Sequence, residues 1–375
     1  MPQKDDCSSA TYTMRFARSV KRADLRDAGE IDRRSQSGLL STEGFGKKKG
    51  IHLMRTFSAV LSLVIWLFSA HPKVLAEDKL VLPVTFSAFN ANMLSLWVGK
   101  DAGYFDEQGL DVRMLLIRGG SLAVQVLVSG ESPIGLVGGT AMGYAYLQGN
   151  KDVVIISRLQ NVMAYILAAK PEIQKPEDIK GKKLAVSRFG STSDFVAEYG
   201  LKHLGLKKGD VSMIQIGLEG DRLIAMQRGD ISVSVFSPTI APAVKKAGMK
   251  ILLDLEELKV PYLLTGHGTT RSYLAKNRSV VVNFMKASIK AIRRIKNDHP
   301  FAERVLAKYV RTTDEETVKA ALDHQLRILP DLPYPFEDGI KTILEDLARS
   351  SPEARNIPPR ALIDTTVVRD ATKGL

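Results

Sequence analysis

Cysteine is almost missing from this chain: one residue, Cys7, in 375. Cys7 lies ahead of an export signal described below, so the mature chain holds no cysteine. That excludes disulfides, a cysteine nucleophile and a cysteine metal site, and a domain of this size can do without disulfides. Histidine is sparse as well. Its six positions, 52, 71, 203, 267, 299 and 324, match no metal-ligand spacing. There is no G-x-S-x-G, no H-E-x-x-H, no Walker loop and no G-x-G-x-x-G after a strand. No apolar run reaches the roughly 20 residues of a membrane span. Long basic runs interleaved with aromatics are also lacking, which argues against nucleic-acid binding. No enzyme, metal or cofactor is therefore expected.

What is present is 45% hydrophobic and 25% charged residues, the balance of a globular protein. Residues 1–53 depart from it, with eleven Lys/Arg, seven Asp/Glu and few large apolar residues. Such a segment buries too little apolar surface to offset ordering, so disorder is expected there. Then comes "KKKGIHLMRTFSAVLSLVIWLFSAHPKVLAEDK", basic residues leading into an uncharged core, Phe57 to Ala70, and then Val74-Leu75-Ala76. This is the pattern of a cleaved secretory signal, assigned to 54–76. Translation starting at Met54 is the simplest account, and native peptides from upstream of it would overturn that account. No cysteine follows the signal, which argues against a lipid-attached lipoprotein. The mature chain, about 77–375, has 40 Lys/Arg and 34 Asp/Glu, a net charge of +6.

Along the mature chain strand and helix patterns alternate. Strands are expected at 79–86, 111–117, 134–137 and 153–156, and helices at 92–101, 121–129 and 140–147. Gly103, Gly130 and Gly149 stop the three helices. This β-α-β order predicts a mostly parallel sheet covered on both faces. The pattern then recurs. An ungapped shift of 99 residues places Asp111 on Asp210, Val112 on Val211, Met114 on Met213 and Ile117 on Ile216. It also places Gly130 on Gly229, Thr140 on Thr239, Gly149 on Gly248 and Lys151 on Lys250. These identities fall on strand starts, turn glycines and a helix start, as two units of one design would give. Extended apolar runs, 165–169 and 262–264, leave each unit and suit two hinge crossings. The expected lobes are 77–162 with 265–375, and 163–264. After Ser279 the chain reads as helices, expected to pack on the first lobe.

Hydroxyl and amide side chains collect where strands hand over to helices. Ser87, Asn90 and Asn92 sit at the first such turn, Ser121 after Gly119-Gly120, and Thr140 after Gly138-Gly139. In the second unit Ser191, Thr192 and Ser193 form one turn and Ser237 and Thr239 another. In open parallel sheets these turns lie at the carboxyl ends of the strands, where ligands bind. Helix N-termini there offer unpaired N–H groups and a partial positive charge. Ser and Thr also cap helices in ordinary proteins. Five such turns in two lobes still favour a site for a small polar or anionic molecule. Arg118 and Arg188 each end a strand beside these turns and could clamp an oxyanion. His267 reads as a hydrogen-bonded structural histidine. Phe89, Phe189 and Phe236 are core or apolar walls of a cleft. Glu219 and Asp221 in "GLEGDRL" read as the acidic first turn of a helix.

"LWVGKDAGYFDEQGLDVRMLL" resembles the nitrate/sulfonate/taurine-type substrate-binding proteins of ABC importers, through Gly103, Tyr104, Phe105, Gly109, Leu110 and Val112. "LVSGESPIGLVGG", "AMQRGDISVSVFSP", "PEDIKGKKLAV" and "IPPRALIDTTVV" extend the resemblance over about 79–370. Pro133 and Ser232 stand where that family usually has Asp, which marks a divergent member. The resemblance implies an α/β, two-lobed periplasmic-binding-protein fold (type II) that closes by hinge bending. It also implies a periplasmic protein that works as a monomer and delivers its ligand to an ABC permease and ATPase. A branch of the superfamily that makes the thiamine pyrimidine precursor has a Cys-rich motif, absent from this mature chain. The ligand stays open among sulfonate, carboxylate, nitrate, pyrimidine and aromatic acid. Delivery to a sensor in place of a permease stays open too. On this reading Ser87, Asn90, Ser121 and Thr140 meet the ligand first. Closure then brings Ser191, Thr192, Ser193, Ser237 and Thr239 onto it.

Overall fold

The computed structural model describes residues 78–373, so the expectations for 1–53 and for the signal at 54–76 lie outside the described residues. The chain enters as strand β1 (Leu80–Phe86), whose inner half is buried, and helix α1 (Leu94–Asp101) follows. The Gly103-Tyr104-Phe105 turn comes next. Tyr104 and Phe105 are buried, and Gly103 and Gly109 have φ of 73° and 71°. Strand β2 (Leu110–Leu116), helix α2 (Gly120–Ser129), strand β3 (Ile134–Val137), helix α3 (Gly139–Leu147) and strand β4 (Val153–Ile155) complete the first unit.

Two short strands cross over, β5 (Gln160–Val162) and β6 (Ile166–Ala169). The second unit repeats the first with β7 (Lys183–Val186), α4 (Thr192–His203), β8 (Ser212–Gln215), α5 (Glu219–Arg228), β9 (Val233–Phe236), α6 (Ala241–Lys246) and β10 (Lys250–Asp254). The long strand β11 (Pro261–Thr270) returns. Helices α7 (Arg271–Lys276), α8 (Arg278–Asn297), α9 (His299–Val310), α10 (Glu315–Ile328), α11 (Glu337–Leu347) and α12 (Thr366–Thr372) follow.

The sheets have orders β2-β1-β3-β11-β4 and β8-β7-β9-β6-β10; the 99-residue shift carries β2, β1, β3 and β4 onto β8, β7, β9 and β10, and a crossing strand fills the same place in each. Registers correspond too. Val84 lies between Met114 and Ile134, and Leu184 lies between Met213 and Val233. The expectation of a mostly parallel sheet holds, with one reversed strand in each sheet. In each sheet the strand arriving from the other lobe runs antiparallel to both neighbours, β11 between β3 and β4, β6 between β9 and β10. The sheets are therefore mixed. A chain that crosses directly into a sheet, without a covering helix, enters against the direction of the parallel strands. The crossings also pair with each other, Pro261 with Val162 and Thr265 with Gln160.

The C-terminal helices bury their apolar faces on the first lobe, through Phe284, Ile289 and Ile292 of α8 and Val305 and Leu306 of α9. Helix α10 does more than was expected of it. Its inner face joins the first lobe's core through Val318 and Leu322, while its far side reaches the second lobe. There His324 Nε2 meets Glu256 at 2.7 Å, and Asp314, just before the helix, meets Lys246 at 2.6 Å.

Candidate functional site

The carboxyl ends of both sheets face one cavity of about 60 Å³. That is room for a few waters or a small polyatomic ion. From the first lobe it is lined by Ser87, Asn90, Asn92, Gly120 and Gly138; from the second by Ser187, Ser191, Thr192, Ser193 and Glu219, with Arg222 behind. Tyr165 and Thr265 of the two crossings close it.

Four helix N-termini border this cavity. Their N-cap residues are Gly119 for α2, Gly138 for α3, Ser191 for α4 and Leu218 for α5, and none makes a side-chain cap. The partial positive charge at these ends is therefore not offset by a capping oxygen. Away from the cavity, Thr270 and Asp298 do cap α7 and α9. Ser191 has its hydroxyl turned elsewhere, donating to Arg188 O at 2.6 Å. Its Oγ lies 3.0 Å from both Ser187 Oγ and Ser193 Oγ, which are 2.8 Å apart. Ser193 Oγ accepts from Ser187 N–H at 2.8 Å. With its own proton donated to the Arg188 carbonyl, Ser191 Oγ is an acceptor for the other two hydroxyls at the cavity edge.

Arg222 is the buried charge of the site, 1% exposed. Nε donates to Ser234 Oγ, Nη1 to the carbonyls of Ile216 and Gly217, and Nη2 to Val235 O, all within 3.2 Å. Desolvation pulls its pKa down, opposed by the charge of Glu219. Glu219 accepts from Ser237 N at 2.6 Å, Ser237 Oγ at 2.9 Å and, across the cleft, Asn90 Nδ2 at 3.2 Å. Arg222 Nη2 is 3.9 Å away. Glu219 and Arg222 thus set opposite charges against each other in the cavity wall.

Of the residues singled out from sequence, Ser87, Asn90, Asn92, Ser191, Thr192 and Ser193 line the cavity. The other six do not. Thr140 is buried and bonded to Tyr262 Oη at 2.6 Å. Thr239 Oγ1 accepts from Ala91 N across the lobes at 3.0 Å. Ser237 serves Glu219, and Ser121 faces a separate groove between α2 and α3. Arg118 and Arg188 lie at the rim. Arg118 is paired with Asp221 at 3.3 Å, and Arg188 donates to Arg118 O at 3.3 Å. His267 is fully buried, bonded through Nδ1 to Ser157 Oγ at 2.7 Å, and burial lowers its pKa to about 3.

The sequence reading missed Glu219, Arg222, Ser187, Tyr165 and Thr265. Glu219 reads from sequence as the acidic first turn of a helix, which it is, but its carboxylate turns inward. One signal was available. Arg222 falls on Ala123 under the 99-residue shift, a position on the apolar face of its helix. Tyr262 was read only as part of a crossing. Its buried phenol bonds to Thr140 Oγ1 at 2.6 Å, and desolvation raises its pKa.

The lobes meet closely. A side chain at Gly138 would place Cβ 2.1 Å from Thr192 Oγ1, and one at Gly119 would sit 2.2 Å from Arg188 Cγ. Only glycine fits there with the lobes in this arrangement.

The family model described as NMT1/THI5 like matches residues 90–300. YtlA of Bacillus subtilis (strain 168), named as a binding protein, is 33% identical over 224 residues, 58% of this chain and 66% of the relative. The taurine-binding periplasmic protein of Escherichia coli (strain K12) is 31% identical over 235 residues, 58% of this chain and 71% of the relative. The chain thus spans about two thirds of the curated relatives it matches. Among solved structures, a protein from Bordetella bronchiseptica RB50 superposes with a TM-score of 0.71 at 21% identity, covering 79% of this chain and 98% of that one. The periplasmic nitrate-binding protein NrtA from Synechocystis PCC 6803 does so with 0.67 at 14% identity, covering 80% and 89%.

Proposed function

The chain belongs to the NMT1/THI5-like family, and from that premise we propose that it is a solute receptor for an ABC importer, holding a small organic anion between its lobes. The observation that carries this reading is the set of four helix N-termini, two from each lobe, facing one cavity without a side-chain cap. Neutral donors and helix ends suit an anionic head group. The taurine-binding relative supports a periplasmic receptor of this kind. In this reading the lobes are 77–162 with 265–375, and 163–264, the signal at 54–76 exports the chain, and it works as a monomer beside its permease and ATPase. In this reading its role is capture and delivery, in keeping with the relatives, which are named as binding proteins.

The test is a thermal-shift series on residues 77–375 with methanesulfonate, acetate, nitrate and a hydroxymethylpyrimidine. A ligand at about 100 times its Kd adds roughly 2.7 kcal/mol of stability. That raises Tm by several degrees, at about 2–4 °C per kcal/mol. A shift with the anions and none with the pyrimidine is expected. No shift with any anion, in folded and ligand-free protein, would overturn the reading.

A further inference from the structure

Building on the anion-receptor reading above, we propose that the ligand carries an apolar body, its head in the 60 Å³ cavity and its body in a second chamber behind Glu219. That chamber, about 600 Å³, also lies between the lobes, and Leu218 and Glu219 are walls of both. Only a thin partition separates them: the Asn90–Glu219 hydrogen bond at 3.2 Å and the Ala91–Thr239 bond at 3.0 Å.

The chamber is built to take apolar matter. Phe89 and Val310 face it from the first lobe, and Leu218, Leu223, Ile240 and Ala243 from the second. Phe89 and Val310 pack on the first lobe's core, and Leu223, Ile240 and Ala243 on a core of the second. All but Leu223 are only half-buried, so an apolar guest would complete their removal from water. Polar groups share the lining, among them Gln227, Thr312 and Thr317, and Lys246 and Asp314 join the lobes there at 2.6 Å. Its volume is that of a site for an organic molecule.

The partition opens on its Asn90 side with the loss of one hydrogen bond, the Ala91–Thr239 bond staying in place. The bond from Asn90 is the longest of the three that Glu219 accepts from neutral donors. Without it, Glu219 keeps both bonds from Ser237, and Asn90 Oδ1 keeps its bond from Asn92 N at 3.2 Å. The ligand class is therefore an alkyl or aryl anion with a compact head. An inorganic oxyanion would leave the chamber empty.

Titration calorimetry on the mature chain tests this with methane-, butane-, hexane- and octanesulfonate and with the carboxylates from acetate to octanoate. In whichever head-group series binds, affinity should rise about fourfold per methylene over the first several carbons, the effect of burying each one. Ala243→Trp, which fills the chamber from the second lobe, should bring hexanesulfonate or hexanoate down to the level of the one-carbon head and leave that head unchanged. Val310→Asp should do the same from the first lobe by charge, and serves if the tryptophan variant does not fold. A flat series, with the shortest member as tight as the hexyl one, would overturn the chamber and leave the receptor reading intact. Chain-length preference that survives in both variants would also overturn it. Failure of every anion to bind would remove the receptor reading, and this proposal with it.

Discussion

Where the first lobe has Gly120, the second has Glu219; Ala123 answers to Arg222, and Gly138 to Ser237. Ala123 and Arg222 are equally buried, at 0% and 1% exposed. The second lobe accommodates a guanidinium there because Ser234 and three carbonyls receive it. The first lobe has Gly135 in place of Ser234, and the Thr85 hydroxyl occupies the space a Cβ would need, 2.3 Å from it. One frame has thus been finished in two ways. The first lobe brings glycine backbone and neutral side chains to the cavity, and the second brings charge with its counter-charge.

The largest effect expected from breaking this contrast is on stability. Arg222→Met leaves Glu219 without its buried cation and should cost about 3–5 kcal/mol. Adding Glu219→Gln should recover much of the loss, and urea unfolding of the single and double variants measures both. Next, Gly138→Ser copies the second lobe's residue into the first, where its Cβ meets Thr192. Overpacking of this kind costs about 1–3 kcal/mol. It should fall on the closed form alone, so affinity for the anion should drop about tenfold to a hundredfold with little change in the unliganded Tm.

His267 pairs with Leu136, as Leu167 pairs with Val235 in the other sheet, so His267→Leu also copies the second lobe into the first. Burial holds the His267 pKa at about 3, below the ordinary value near 6.5. Between those values the unfolded chain binds the extra proton. Stability from this group is therefore complete above about pH 6.5. It falls with decreasing pH, by up to about 1.4 kcal/mol per unit, until the folded-state pKa is reached. Tm measured from pH 7 to 4 should decline less steeply in the leucine variant. The smallest effects separate two equivalent threonines. Thr140 is tied to the crossing strand and Thr239 to the opposite lobe. Thr140→Val should lower stability by about 1 kcal/mol, whereas Thr239→Val should leave unliganded stability nearly unchanged and weaken binding by a similar amount. Paired melting and titration measurements decide it.

The repeated frame was legible because its punctuation is physical. Gly130 and Gly229 both end helices, at φ of 82° and 83°, and few other residues tolerate that backbone. The strand runs and the five polar turns were legible for the same reason: periodicity and turn chemistry are local. The direction of β6 and β11 within their sheets was not, since it depends on how the crossings are routed. Side-chain employment was hidden as well. Thr239 turns to Ala91, Glu219 to Asn90 and Arg118 to Asp221, each more than a hundred residues away in sequence. A hydroxyl at a turn looks the same in the sequence whether it serves a ligand, a cap or the opposite lobe.

All five strands of the second sheet lie within one stretch of chain, from Ile166 to Asp254, whereas the first sheet needs β11 from beyond it. In order of synthesis the second lobe is thus the first to have its sheet complete. Until β11 appears, β4 has no neighbour to bond, and the C-terminal helices that cover the first lobe come later still. The strand that finishes the first sheet is also the second crossing. A chain emerging N-terminus first therefore gains its earlier lobe and its working hinge in the same event.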